Sequence, residues 1–275
     1  MAERHLRVEV EGCRPEPVGA GSDLKRVVII SDVHANLPAL RAVIADAGDV
    51  DAWWCLGDVV GYGPFPGECI DLVDGLDALT VLGNHDLGSV GDLDLGRFNS
   101  NARAASEWTR DVLSAGQIDL IRAFPETAVD SECDAFLVHG SPRDPVWEYV
   151  VSSEAALKNF MSFENGLCFN GHSHVPVVFE QREVTAAVDD RSGIEVIEPE
   201  DGDVFEVTEG CRYLVNAGSV GQPRDGDPRA VYILFEPPHR RFTYRRVEYD
   251  ITITQRKMEE AGLPEYLARR LAIGR

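Results

Sequence analysis

Arg26-Val27-Val28-Ile29-Ile30-Ser31-Asp32-Val33-His34 decides the fold class of this chain. Residues 27–30 are a continuous β-branched apolar run without polar alternation, the pattern of a strand buried on both faces of a sheet. An Asp-x-His follows at once. Beyond it, Leu37, Leu40, Val43 and Ile44 have helical spacing, and Pro38 suits the first turn of that helix. A strand over 52–56, a helix near 67–73 and a strand over 78–82 complete a β-α-β-α-β opening and predict an α/β class.

The rest of the chain keeps this character. Apolar periodicity predicts helices over 99–113, 117–124 and 153–163, and strands near 126–129, 135–139, 167–170, 177–181, 212–216, 230–235 and 241–247. Two closing helices, 254–261 and 265–273, are separated by Gly262-Leu263-Pro264. Residues 1–25 read as an extension: Leu6, Val8 and Val10 alternate with charges as one short strand, then Pro15, Pro17, Gly19 and Gly21 mark a link. Residues 183–209 are acidic and irregular, a hairpin or ordered insertion on the surface. The polar clusters described next run from 32 to 174 and must meet, so a single domain over 26–275 is expected.

Five of the seven histidines lie in short clusters that each follow an expected strand: Asp32-Val33-His34, Gly57-Asp58, Gly83-Asn84-His85-Asp86, His139-Gly140 and Gly171-His172-Ser173-His174. Aspartate, asparagine and histidine are ligands for borderline and hard divalent metals. In open α/β sheets, sites form outside the carboxyl ends of the strands. Each cluster alone is an ordinary turn or a structural histidine; all five in this order point to a metal site. In an extended chain, residues two apart face the same side, so Asp32 with His34, and His172 with His174, could each chelate one ion.

The totals bound the function. With 275 residues and 44% apolar composition the chain can bury a sizeable core. No apolar run approaches the roughly 18 residues of a membrane span, and the first ten residues lack the apolar core of a signal peptide. The six cysteines are scattered, several within apolar runs, and read as reduced core residues of a cytoplasmic protein without membrane contact. The formal charge of −21 opposes phosphate neutralisation, so nucleic acid is disfavoured as a partner. An acidic chain whose only lysines are Lys25, Lys158 and Lys257 would suit a salt-adapted host, but a GC-rich genome gives the same bias. Oligomeric state is not legible.

Taken in order, Asp32-x-His34, Gly57-Asp58, Gly83-Asn84-His85-Asp86, His139-Gly140 and Gly171-His172-x-His174 resemble the motif series of the calcineurin-like metallophosphoesterases, over about residues 26–250. Gly61-Tyr62-Gly63-Pro64, His139-Gly140-Ser141-Pro142-Arg143 and the stretch 216–224 bring the chain nearest to single-domain prokaryotic members of phosphodiesterase-like, diadenosine-tetraphosphatase-like and protein-phosphatase-like type. The resemblance implies a four-layer α-β-β-α sandwich of two mixed β-sheets flanked by helices. It implies two divalent metals, manganese first among Mn, Fe, Zn, Co and Ni. One would be held by Asp32, His34, Asp58 and His174, the other by Asp58, Asn84, His139 and His172, with Asp58 shared. Two carboxylates against two dications leave about +2 for a phosphoryl group, and a hydroxide bridging the metals would attack phosphorus in line. His85 is implied as general acid or donor to the leaving group, with Asp86 orienting it or capping a helix. Arg224 is the first candidate for substrate contact, ahead of Arg143 and Arg229, which salt bridges with surface acids would equally explain. Tyr62, Trp147 and Tyr149 line a pocket or, preferably, pack. Asn36 supports the first cluster or caps a helix, and His5 and His239 have no assigned role. The expected function is hydrolysis of small phosphodiesters or phosphomonoesters. A non-catalytic protein-binding scaffold of the same fold, or a nuclease, stands as the alternative.

Overall fold

Every residue of Val27–Ile30 is buried, as an uninterrupted apolar run requires. The computed structural model describes residues 24–182 and 193–275; the strand expected near 6–10 and the acidic residues 183–192 lie outside the described residues. Along the chain the strands are β1 (Val27–Ile30), β2 (Ala52–Cys55), β3 (Leu79–Thr80), β4 (Thr127–Asp130), β5 (Ala135–Val138) and β6 (Leu167–Asn170). They continue with β7 (Val177–Arg182), β8 (Ile194–Ile197), β9 (Val204–Glu206), β10 (Cys211–Asn216), β11 (Ala230–Glu236) and β12 (Arg241–Val247). The helices are α1 (Leu37–Ala47), α2 (Pro66–Gly75), α3 (Asn84–Val90), α4 (Ser100–Val112), α5 (Ala115–Ala123), α6 (Ser153–Phe160), α7 (Ile251–Glu260) and α8 (Glu265–Leu271).

Two six-stranded sheets result, ordered β3-β2-β1-β11-β12-β9 and β4-β5-β6-β10-β7-β8. Both are mixed. β1, β2 and β3 run parallel in the first, and β5, β6 and β10 in the second, flanked by antiparallel strands. The alternation of side chains along β1 explains the layering. Val27 and Ile29 join Trp54, Phe169, Val215 and Phe235 between the sheets. Val28 and Ile30 meet Leu40, Val43 and Ile70 of α1 and α2 on the outer face. On the far side, Ala156 and Phe160 of α6 cover Cys168, Phe179 and Leu214. This is the expected four-layer α-β-β-α sandwich.

Four elements differ from expectation. β3 is two residues long, because the chain leaves the sheet at Leu82, whose N–H donates to the carbonyl of Pro125 at 2.8 Å. α3 starts at Asn84, ahead of the helix that Asp86 would have capped; its sequence is polar and short, so it carries no apolar period. α7 starts at Ile251, where the Asp250 side chain accepts from the N–H of Thr252. The segment around 193–209, expected as a hairpin or ordered insertion, supplies an edge strand to each sheet. β8 pairs antiparallel with β7 at the edge of one sheet, while β9 pairs with β12 at the edge of the other. Buried Ile194 and Phe205 anchor it, the latter stacked on Phe242 at 5.0 Å.

Among the described residues no helix is long and apolar enough to cross a membrane. Cys55, Cys69 and Cys168 are buried thiols, and burial pushes each of them up.

Candidate metal centre

The parallel strands of both sheets carry their carboxyl ends to one edge. Asp32 and His34 follow β1, Asp58 follows β2, Asn84 opens α3 after β3, His139 follows β5, and His172 and His174 follow β6. None of the seven is more than 3% exposed. The fold sorts them into two groups that could each hold a metal ion: Asp32, His34 and His174; and Asp58, His139 and His172. The Asn84 Oδ1 lies 3.2 Å from His139 Nε2, placing it with the second group.

The backbone there is unusual. Asp32, His34, Asp58, His172 and His174 all adopt left-handed φ values, between 47° and 67°. Asp and His tolerate that region better than most residues, yet such conformations cost about 1–3 kcal/mol each and persist where surroundings over-determine them. Here the N–H groups of Asp32 and His34 are fixed by the carbonyls of Gly57 and Asp58, at 3.0 and 2.9 Å. The expectation of an extended Asp-x-His is therefore corrected: the two ligands converge through a left-handed turn. His172 and His174 do not chelate together, because they turn to different groups. Two glycines allow this crowding. A Cβ on Gly83 would lie 2.0 Å from Asp58 Oδ1, and one on Gly171 would lie 1.8 Å from Ser31 Oγ.

Each histidine of the two groups has one ring nitrogen committed to a backbone carbonyl. His34 Nδ1–H donates to Val60 at 3.1 Å, His139 Nδ1–H to Leu56 at 2.8 Å and His174 Nδ1–H to Gln222 at 2.7 Å. His172 is reversed, with Nε2–H donating to Trp147 at 3.2 Å. A carbonyl only accepts, so the tautomers are fixed and the other nitrogen turns its lone pair inward. His34 Nε2 and His174 Nε2 then face each other at 3.1 Å, as do His139 Nε2 and His172 Nδ1. Paired lone pairs repel unless a proton or cation lies between them.

The carboxylates are divided in the same way. Asp32 Oδ2 accepts from Ser31 Oγ at 2.7 Å and the His172 N–H at 3.0 Å, and Asp58 Oδ1 accepts from the His85 N–H at 2.8 Å. Asp32 Oδ1 and Asp58 Oδ2 are buried without a hydrogen-bond partner. Asp32 Oδ1 lies 3.2 Å from His174 Nε2. Asp58 Oδ2 lies 3.6 Å from His34 Nε2 and 3.4 Å from His139 Nε2, one nitrogen from each group. Burial would raise both carboxyls, but His174 beside Asp32 and His139 beside Asp58 outweigh it and hold both well below the ordinary range. Burial pushes His34 and His174 down, and His172 down to about 3. His139 goes the other way: burial opposes its charge, yet Asp58 holds it up to about 9. Orphaned carboxylate oxygens and inward lone pairs form an oxygen–nitrogen donor set that fits borderline divalent cations.

His85 sits in α3 rather than an extended turn, buried against Tyr62 at 4.2 Å and His34 at 4.9 Å between ring centroids. Its Nδ1 has no partner, and burial lowers its pKa to about 4. The expected Asp86–His85 pairing is corrected. Both oxygens of Asp86 are taken by the N–H groups of Asp58, Val60 and Gly83, at 2.8, 3.1 and 3.1 Å. Asp86 therefore ties the second and third ligand loops together; burial and then Asp58 push its carboxyl up. It is not the N-cap either, a position held by Gly83.

Arg224 is at the site: its N–H donates to the His174 carbonyl at 3.2 Å, its guanidinium lies 5.8 Å from the Tyr62 ring, and its Nε is buried without a partner. Arg143 pairs with Glu148, and Arg229 with Asp201 and Asp227, the salt-bridged alternative for both. Tyr62 packs on His34, while Tyr149 stacks at 3.9 Å on His172 yet is 47% exposed, a wall of the opening. Asn36 fills both suggested roles: its Oδ1 caps α1 at Ala39 and its Nδ2 donates to the Gly221 carbonyl at 2.8 Å. His239 is exposed in a turn after β11, and His5 lies outside the described residues. Sequence reasoning missed the carbonyls that set the imidazoles, which carry no local signal.

Residues 26–237 match the calcineurin-like phosphoesterase superfamily domain. The chain is 49% identical to a metallophosphoesterase from Sphaerobacter thermophilus, with a TM-score of 0.81 over 92% of this chain and 100% of that one. It is 35% identical to an uncharacterized protein of Methanocaldococcus jannaschii over 90% of this chain and 98% of that protein. A symmetrical bis(5'-nucleosyl)-tetraphosphatase of Chromohalobacter salexigens is 34% identical across 45% of this chain and 46% of its own length. The chain belongs to the calcineurin-like phosphoesterase superfamily.

Proposed function

We propose that this chain is a two-metal phosphoesterase in which Asp32, His34 and His174 hold one divalent ion, Asn84, His139 and His172 hold the other, and Asp58 is shared. The observation that carries this is Asp58 Oδ2, buried, partnerless and within 3.6 Å of an inward nitrogen of each group. The His85 N–H, donating to Oδ1, fixes the orientation of the Asp58 carboxylate. Two divalent ions supply Lewis acidity toward a phosphoryl oxygen and bring water ionisation near neutral pH. Manganese is the first choice among the metals this set suits.

The chain's own residues do the rest. Ser31 Oγ and the N–H groups of His85 and His172 orient the carboxylates, and four backbone carbonyls hold the imidazoles. His85, neutral at physiological pH, donates a hydrogen bond to the leaving-group oxygen. Arg224, with its Nε unpaired, binds a phosphoryl oxygen. The substrate is a small cytoplasmic phosphoester. The partial likeness to a bis(5'-nucleosyl)-tetraphosphatase supports testing dinucleoside polyphosphates beside simple mono- and diesters. The complete ligand set favours catalysis over a scaffold role.

The test combines metal analysis with chromogenic mono- and diester hydrolysis. Wild type should bind two ions and turn over. Asp58→Asn should remove nearly all hydrolysis, with an unchanged circular-dichroism spectrum. Full activity in that variant, or a wild-type protein that binds no metal, refutes the proposal.

A further inference from the structure

The turn that carries the first two ligands is strained at three positions: φ is 51° at Asp32, 47° at His34 and 50° at Ala35. Such a run of non-glycine residues costs free energy and lasts only where the surroundings over-determine it. Asn36, the next residue, supplies that support. It is buried, and every hydrogen-bonding position of its amide is used. Its Oδ1 accepts from the Ala39 N–H at 3.4 Å and from Thr254 Oγ1 at 2.8 Å. Its Nδ2 donates to the Gly221 carbonyl at 2.8 Å and to the Tyr249 hydroxyl at 3.0 Å.

Two of these partners lie beyond the residues that match the family domain: Tyr249 follows β12, and Thr254 is a buried residue of α7. The Gly221 partner leads back to the ligands. The Gly221 N–H donates to the Asp32 carbonyl at 3.0 Å, which also accepts from Ser219 Oγ at 2.8 Å. A Cβ on Gly221 would lie 1.8 Å from the Val33 carbonyl oxygen, so the two loops are in close contact. One residue on, the Gln222 carbonyl accepts from His174 Nδ1–H. Asp32, His34 and His174 thus share one support, and α7 closes it from outside. A narrow cleft lined by His34, Asn36, Gln222, Thr254, Met258 and Leu271 marks the join. Asp58, His139 and His172 are held by other groups, the His85 N–H and the carbonyls of Leu56 and Trp147.

We infer that Thr254 is a positioning residue: through Asn36, α7 holds the Asp32–His34 turn in its strained form and sets the affinity of the Asp32, His34 and His174 group for its ion, while the other group keeps its own. This rests on the two-metal reading above. The physical reason is preorganisation. A turn released to ordinary backbone conformations must be strained again before its ligands converge, and that cost falls on the ion bound there.

The experiment titrates manganese into metal-free wild type, Thr254→Val, Thr254→Ser and Tyr249→Phe. Calorimetry reads the affinity of each step, and electron paramagnetic resonance separates coupled ion pairs from isolated ions. Valine keeps the shape of threonine without its hydroxyl, and serine keeps the hydroxyl. Thr254→Val should weaken one binding step by about 10-fold or more and leave the other almost unchanged. Isolated manganese should then appear at loadings where wild type shows coupled pairs. Thr254→Ser should restore the wild-type titration. Tyr249→Phe, which removes the other outside bond to Asn36, should weaken the same step and carries the test if the valine variant fails to fold. Equal weakening of both steps, as general loosening would give, overturns the role of Thr254, as do unchanged titrations or a serine variant no better than valine; two ions in wild type would still uphold the two-metal reading. A wild type that binds one ion, lost in Thr254→Val, sinks the two-metal reading and upholds the clamp. A wild type that binds none overturns both.

Discussion

Metal loading should expel the His139 proton at neutral pH, in addition to any proton that metal-bound water gives up. Of the ligand side chains, Asp32 and Asp58 are held ionised, while His34, His172 and His174 are held neutral. Only His139 is held up, to about 9 from an ordinary 6.5, by the Asp58 charge against burial. An imidazolium cannot ligate, so below about pH 9 a metal must displace this proton. Two pH units below that value, roughly 1% of the protein is competent, a handicap of about 100-fold or ~2.7 kcal/mol in apparent affinity at pH 7. Apparent affinity should thus rise about 10-fold per pH unit from pH 6.5 and flatten above 9. Calorimetry in buffers of different ionisation enthalpy counts the proton directly. The sign reverses for metal-free stability. The raised His139 pKa contributes stability fully present below 6.5, and that contribution is lost as pH rises through about 9. The lowered carboxyls contribute stability present above 3.8 and lost as pH falls toward their folded values. A pH-independent affinity between 6.5 and 8.5, or a proton count that His139→Asn leaves unchanged from wild type, would refute the reasoning.

Three further outcomes are expected. His85→Ala should slow hydrolysis of esters with poor leaving groups by about 10²-fold or more and good ones far less, read from a leaving-group series; equal losses remove its donor role. Asp86→Ala strands three buried N–H groups and should cost about 3 kcal/mol or more in urea unfolding. Retained stability would mean those donors find other partners. Gly171→Ala forces a Cβ into Ser31 Oγ and should destabilise by about 1–3 kcal/mol with a drop in metal content, measured by thermal melting and metal analysis; a wild-type melt would show the loop can yield.

The candidate site was legible to an unusual degree because its ligands sit directly behind strands whose apolar runs announce themselves. Residues 27–30 read as doubly buried from sequence and are so. The seven side chains named from the motifs converge in two groups, with Asn84 beside the second. Element ends were less legible. β3 and α3 are too short to show a period, and β9 leaves an irregular acidic stretch to join a distant strand.

Residue chemistry and order along the chain were sufficient for the α/β class, the candidate ligands and the family resemblance, because strand burial and metal-binding residue types are written in local composition. Three matters belong to tertiary structure alone. His172 and His174 part company through left-handed turns, although spacing suggested shared chelation. Asp86 serves backbone N–H groups from two loops, not the adjacent imidazole. Met258 and Leu271, far along the chain on helices beyond the family match, pack in one cluster with Tyr62. Each depends on what long-range packing places opposite a side chain, and spacing along a chain carries no record of that.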